Sequence, residues 1–350
     1  MSKQARRRLR INIVGLDNGA GLTVDARLVL SVLQGAGFDA TWFKGVRPAK
    51  WKSRIARIRP LRWLLPRYDM NLFLERVHPG WYPFARLNVL LPNPEWFRDD
   101  LHQHLGGIDC VLCKTHDAQR AFEALGKPTA LIGFTAEDRG ASKRLAADSQ
   151  PVLALHVAGR SEHKGTRAVI DAWARHPEWP QLTVVQRPLD RDSVLYAPPL
   201  PNVRYFSERV PDEALLAMQH EHAVCVLPSE VEGYGQALVE GLGLGAVVVT
   251  TDAPPMNELV ANDRGVLVAA GPGEPFRLGH RYQVVPDQLE EALGRVFAWS
   301  AQERHEIGAA ARAWFLDNDR RFRAELARVV ESLITSSLHD APRIRGASAP

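Results

Sequence analysis

From Arg10 onward the chain alternates short apolar runs with amphipathic stretches. INIVGL (11–16) precedes a 3.6-residue periodicity through Val24, Leu28 and Val32, and DATWF (39–43) follows, which predicts strand, helix, strand. Further runs at MNLFLE, LNVLLP, IDCVLC and TALIGF are rich in Leu, Val and Ile without clean alternation, as expected of parallel strands covered on both faces. The polar stretch TAEDRGASKRLAADSQ (135–150) interrupts the pattern. It restarts with PVLALHVAG, a helix over about 166–175, then LTVV, VRYF, AVCVLP, AVVVTTD and GVLVAA. The prediction is an α/β protein of two doubly wound domains, 10–150 and 151–335, facing a cleft at the carboxyl ends of their strands. Residues from Leu289 read as helical, 1–9 as a basic arm and 336–350 as a disordered tail.

Composition narrows the class. A chain of 350 residues has room for two domains that each bury a core. With 45% apolar and 24% charged residues it is neither collagen-like, nor a coiled coil, nor wholly disordered. Forty-four Lys and Arg against 40 Asp and Glu leave +4, too little to make nucleic acid the expected partner. The apolar run 11–16 is short for a secretory core, and no stretch approaches the roughly 18 apolar residues of a membrane span, so a cytoplasmic protein is expected. Three cysteines give no disulfide framework. Cys110 and Cys113 form a CxxC with His116 after it, but on a strand positions three apart face opposite ways, which predicts buried thiols rather than a metal site.

The most informative stretch is PSEVEGYGQALVEGLGLGAVVVTTDAPPMNELV, Pro228 to Val260. A strand exits through Gly233 and Gly235 into a helix, so backbone N–H groups are offered to an anion and the glycines admit close approach. Glu240 sits inside that helix among aliphatic neighbours, where a carboxylate needs hydrogen-bond donors such as sugar hydroxyls. Glu232 sits at the loop itself, and as a helix-start charge it would also complement the macrodipole. In HVAGRSEHKGT (156–166) Arg160 and Lys164 flank a turn before the next helix, a pair suited to a diphosphate. After the first strand, Asn18, Gly19 and Gly21 form a glycine turn that admits a phosphate or sugar, although the spacing is not GxGxxG. The triplets Asp190 to Asp192 and Asp317 to Asp319 do not directly follow apolar strands, and neither is read as a metal site.

These motifs together resemble the retaining GT-B-fold glycosyltransferases of the family-4 (group 1) type. The resemblance rests on Glu232 and Glu240 in EGYGQALVEGLGLGAVVVTTD, on NELV at 257–260 and on AGRSEHKG upstream, and is densest over about 150–270. It implies two Rossmann-like domains, an acceptor domain at 10–150 and a nucleotide-sugar donor domain at 151–335. It implies that Arg160 and Lys164 hold the donor diphosphate and that Glu232, Gly233, Tyr234 and Gly235 contact the transferred sugar. Glu240 would bind the ribose, Glu258 would lie near the donor, and the segment around Val210 would meet the base. Asn93 and Glu95 stand where many relatives present a histidine to the sugar. No cofactor beyond the nucleotide-diphosphate sugar and no metal is implied. The implied reaction is transfer, with retention, to a glycan or lipid-linked acceptor in surface polysaccharide assembly. An epimerase on the same fold and a non-catalytic nucleotide-sugar-binding subunit are the alternatives.

One region carries the excess charge. Between Ala40 and Tyr68 nine cations, from Lys44 to Arg67, occur without an acid, interleaved with Trp51, Ile55, Ile58 and Trp63. Such a stretch suits an anionic membrane surface or a phosphorylated acceptor, or a solvated loop broken by Pro48, Pro60 and Pro66. A peripheral position on the inner face of the plasma membrane is the corresponding expectation.

Overall fold

The computed structural model describes residues 8–19, 21–45, 47–48, 67–140, 152–190 and 194–339. The first six apolar runs become β1 (Arg10–Val14), β2 (Asp39–Phe43), β3 (Tyr68–Leu74), β4 (Ala85–Leu91), β5 (Cys110–Cys113) and β6 (Thr129–Leu131). All are parallel, in the order β2-β1-β3-β4-β5-β6. A buried ladder fixes the register of the central strands: Asn12 donates to Asn71 (3.0 Å) and Asn71 to Asn88 (2.9 Å). Each amide satisfies its neighbour, which is what permits three polar side chains in an apolar sheet.

The second sheet contains β7 (Ala154–Gly159), β8 (Leu182–Gln186), β9 (Val203–Phe206), β10 (Val224–Leu227), β11 (Val247–Thr251) and β12 (Val266–Val268). It too is parallel, in the order β12-β11-β10-β7-β8-β9. Helices α1 (Gly21–Gly35) and α2 (His116–Ala124) belong to the first half. The second half adds α3 (Thr166–Arg175), α4 (Asp212–Glu221), α5 (Gln236–Leu244), α6 (Met256–Leu259), α7 (Pro286–Ala298) and α8 (Ala301–His339). Cys110 and Cys113 face opposite sides of the first sheet, each within an apolar cluster, and burial pushes the Cys113 thiol up to about 12.

Two features depart from the sequence pattern. A short antiparallel hairpin, β13 (Glu274–Phe276) and β14 (Gly279–Arg281), was not foreseen, because three-residue strands carry too little periodicity to register. The last helix continues through His339, past the boundary placed at 335, and it leaves the second domain for the first. Phe315 packs against Gly243 of α5, whereas Phe322, Leu326, Val330 and Ile334 share a buried cluster with Ile11, Val29 and Leu33. Amphipathicity showed that this helix buries a face but not which domain it covers.

Phe322, 1% exposed, meets the ring of Phe134 edge-on at 4.8 Å, where the chain passes from the first domain to the second. Phe322→Ala is expected to cost about 3–5 kcal/mol, read as a fall in the urea midpoint at unchanged slope; a loss below about 1 kcal/mol would show that this contact does not hold the domains together.

Candidate active site

On the second-domain side, β10 ends at Leu227 and the chain runs through 228–235 into α5. Gly235, at φ 106, caps that helix in a backbone conformation that other residues avoid, and a Cβ there would press on Leu238 and Leu259. The first N–H groups of α5 therefore open towards the cleft without intrahelical acceptors. Lys164 forms an ion pair with Glu232, whose carboxylate also accepts from Ser229 Oγ at 2.7 Å. Gly165 places the lysine: at φ 67 its Cα lies so close to the Pro228 carbonyl that no Cβ fits. Behind this turn His156 is fully buried, with Nδ1 at 2.7 Å from the Val226 carbonyl and Nε2 at 2.8 Å from Thr166 Oγ1. Desolvation lowers it to about 4, so it ties β7, β10 and α3 together as a neutral ring.

The facing wall comes from the first domain. Gly19 N–H bonds Thr23 Oγ1 at 2.8 Å, which folds the turn holding Asn18 and Gly21 at the cleft edge. Lys114, at the end of β5, is buried, with Nζ 2.6 Å from Asp25 and 2.9 Å from Asn93 Oδ1 and lying 4.3 Å above the Phe134 ring. Glu95 packs its carboxyl against the Cα of Gly233, so the absence of a side chain at 233 lets the two domains meet. Burial, reinforced by the charge of Glu232, pushes the Glu95 carboxyl up to about 8. The cleft between the walls holds about 390 Å³.

The residues singled out from the sequence do not all converge. Asn18, Gly21, Asn93, Glu95, Glu232, Gly233, Tyr234 and Gly235 line this cleft, and Lys164 joins it through Glu232. Arg160 is exposed, and its guanidinium donates to the Leu189 carbonyl. Val210 lies just before α4, outside the cleft lining. Glu240 is one turn along α5 from Gln236. Its partners here are protein groups, Gln219 Nε2, which donates at 3.1 Å, and Arg139, an ion pair at 3.3 Å, and burial raises its carboxyl above the usual range. Glu258 reaches across the domains and accepts from the N–H groups of His116 (2.6 Å) and Asp117 (2.8 Å), capping α2. Lys114 and Asp25 were missed, although a lysine at the carboxyl end of a parallel strand and a lone acid on the apolar side of α1 are visible signals. The cationic stretch lies largely outside the described residues; Lys44 at its start pairs with Asp17 at 2.8 Å.

Residues 152–277 match the profile of the family described as glycosyl transferases group 1. No curated protein sequence matches the chain. Among solved structures, sucrose-phosphate synthase from Thermosynechococcus elongatus superposes with a TM-score of 0.67 at 15% identity, covering 95% of this chain and 100% of that one. Anabaena HepE in complex with UDP and glucose gives 0.62 at 15% identity over 94% and 100% of the two chains. The E. coli trehalose-6-phosphate structure bound with UDP-2-fluoro glucose gives 0.65 at 14% identity over 93% and 99%. At these identities the superpositions establish the GT-B fold alone, two parallel six-stranded sheets with carboxyl-terminal helices. The likeness to the group 1 glycosyl transferases is thus carried by residues 152–277.

Proposed function

We propose that the chain is a retaining glycosyltransferase that moves a sugar from a nucleoside-diphosphate sugar to a glycan or lipid-linked acceptor in surface polysaccharide assembly. The observation that carries this reading is the convergence of Lys164, Glu232 and the start of α5 on one wall of a cleft whose other wall is the first domain. As the acceptor oxygen bonds the anomeric carbon, the bond to the diphosphate breaks and its oxygen takes the acceptor proton. Negative charge gathers on the leaving group, where a fixed ammonium and helix-start N–H groups stabilise it without reorganising. Ser229 and Glu232 hold Lys164 ready for that role, and Arg160 adds a second cation. Glu240, oriented by Gln219, is assigned the ribose, and the segment at Val210 the base. In this reading Glu258 keeps the first domain seated against the donor domain rather than touching the donor. Because cations and a helix terminus neutralise the diphosphate, the proposed reaction proceeds without a metal. UDP and UDP-sugars in the structural relatives make UDP-hexoses the first donors to test. The cationic run 44–67 supports a peripheral position at an anionic membrane, where neutralising Arg54, Arg57, Arg59 and Arg62 should abolish sedimentation with anionic liposomes.

Thermal stabilisation by a panel of nucleoside diphosphates and their sugars should single out one base. Lys164→Ala should then lower donor kcat/KM by about 100-fold, with EDTA leaving wild-type turnover unchanged; turnover that survives the substitution would refute this placement of the diphosphate.

Glu95 supplies a pH test. The folded carboxyl keeps its proton up to about 8, whereas the ordinary value is 4.5, so between these values the folded state binds the extra proton and its stability falls as pH rises. Glu95→Gln cannot ionise and should gain stability over wild type progressively from about pH 5 to about pH 8; a difference that stays constant in urea titrations at both ends would show that Glu95 ionises normally.

A further inference from the structure

Seven buried side-chain polar atoms lack a hydrogen-bond partner among the described residues. Three of them, Asp25 Oδ1, Glu95 Oε2 and Gln236 Nε2, belong to residues lining the one cleft. Buried polar atoms are seldom left unpaired in native proteins, and three around one space point to a common partner. They come from α1, from the turn after β4 and from the first position of α5, so both domains contribute. Asp25 is only 5% exposed, and its other oxygen is already committed to Lys114 at 2.6 Å.

The chemistry of the partner follows from what each atom can do. Asp25 Oδ1 only accepts, the Gln236 amide nitrogen only donates, and a protonated Glu95 does either. A partner must therefore present donors and acceptors side by side, as vicinal hydroxyls do; a phosphate or carboxylate presents acceptors alone. Charge points the same way. Asp25, Glu75, Glu95 and Glu232 all face this space, and the cations near them are engaged: Lys114 by Asp25 and Asn93, Arg76 by Glu75 at 3.4 Å, and Lys164 by Glu232 and, in the proposed reading, by the diphosphate. An anionic ring would meet carboxyl groups with no spare cation to offset them. Resting on the glycosyl-transfer reading of this cleft, we propose that Asp25, Glu95 and Gln236 form a hydroxyl-reading subsite that admits a neutral sugar ring and rejects one bearing a carboxylate or phosphate. The transferred sugar and the acceptor sugar share that chemistry.

Titration calorimetry on wild type, Glu95→Ala, Glu95→Gln and Gln236→Ala separates the two sources. The probes are UDP, UDP-glucose, UDP-N-acetylglucosamine and UDP-glucuronic acid, then glucose and glucose 6-phosphate added to the UDP complex. If the subsite reads the transferred ring, neutral UDP-sugars bind wild type more tightly than UDP does. If it reads the acceptor, glucose binds the UDP complex. In either case the gain should fall about tenfold in Glu95→Ala and in Gln236→Ala and return in Glu95→Gln, which keeps a donor and an acceptor, while affinity for UDP alone stays constant. The acidic rings should add nothing. Equal affinity for neutral and acidic rings, or a neutral-ring gain that both alanine variants retain, or no gain from any ring, would overturn the subsite while UDP binding stands. Failure of wild type to bind any nucleotide would instead overturn the functional reading, and the subsite with it.

Discussion

The junction at Phe134 holds the two sheets in one arrangement. Its ring stands edge-on to Tyr234 at 5.4 Å and to Phe322 at 4.8 Å, and Lys114 Nζ lies 4.3 Å above it. Its carbonyl accepts from Tyr234 OH and from Asn318 Nδ2. One residue therefore touches the first-domain wall, the loop that carries Glu232, and the helix that returns across the domain boundary. An aromatic cluster of this kind adds directional packing to burial. Tyr234 is buried, so its hydroxyl needs that carbonyl, and the bond ties the Gly233 to Gly235 turn to the first domain.

With the seam fixed, the electrostatics of the cleft follow from which charges are desolvated together. Lys164 and Glu232 form one pair and Lys114 and Asp25 another, and each ammonium is offset locally. Glu95 has no such partner. It lies against Gly233 with Glu232 nearby, and the cheapest state for an unpaired buried carboxyl beside a carboxylate is the neutral one. In the proposed reading the leaving diphosphate meets Lys164 and the N–H groups at the start of α5, while the ring meets the neutral Glu95 and the acceptor oxygen of Asp25. That separation of roles is what the proposed group transfer requires, since the leaving group and the transferred ring have opposite electrostatic needs.

The strands were legible because parallel β-structure buried on both faces writes itself as uninterrupted apolar runs; all twelve runs became strands of the two sheets. The second-domain wall was legible for a related reason. A glycine that must adopt φ 106 or must clear a carbonyl leaves a fixed letter at a fixed distance from its strand, and Glu232 and Lys164 come with it. The first-domain wall was only half visible. Asn93 and Glu95 could be marked, but Lys114 and Asp25 lie 89 residues apart and each is an ordinary letter until the sheet brings them to 2.6 Å. Glu258 shows the opposite failure: the letter was recognised, yet its carboxylate is occupied by the first turn of α2, a partner fixed only by how the domains dock.

That asymmetry bears on where the selectivity of the protein lies. The family profile ends at residue 277, inside the hairpin 274–281. There Arg277 donates to the Glu95 carbonyl at 2.9 Å and lies 5.1 Å from the Trp96 ring centre, while its neighbour Phe276 packs edge-on against His163 at 5.1 Å. One end of the hairpin touches the turn that carries Lys164, and the other touches the turn that carries Glu95. The hairpin thus bridges the two walls, and a shift of one relative to the other would break one of its two contacts. In the proposed reading the diphosphate needs only a helix start and a cation, which a local motif supplies. The proposed ring site depends instead on a gap between two domains lined by residues from distant segments, Asp25, Glu95 and Gln236, so its chemistry is read from their unpartnered atoms and not from any one motif.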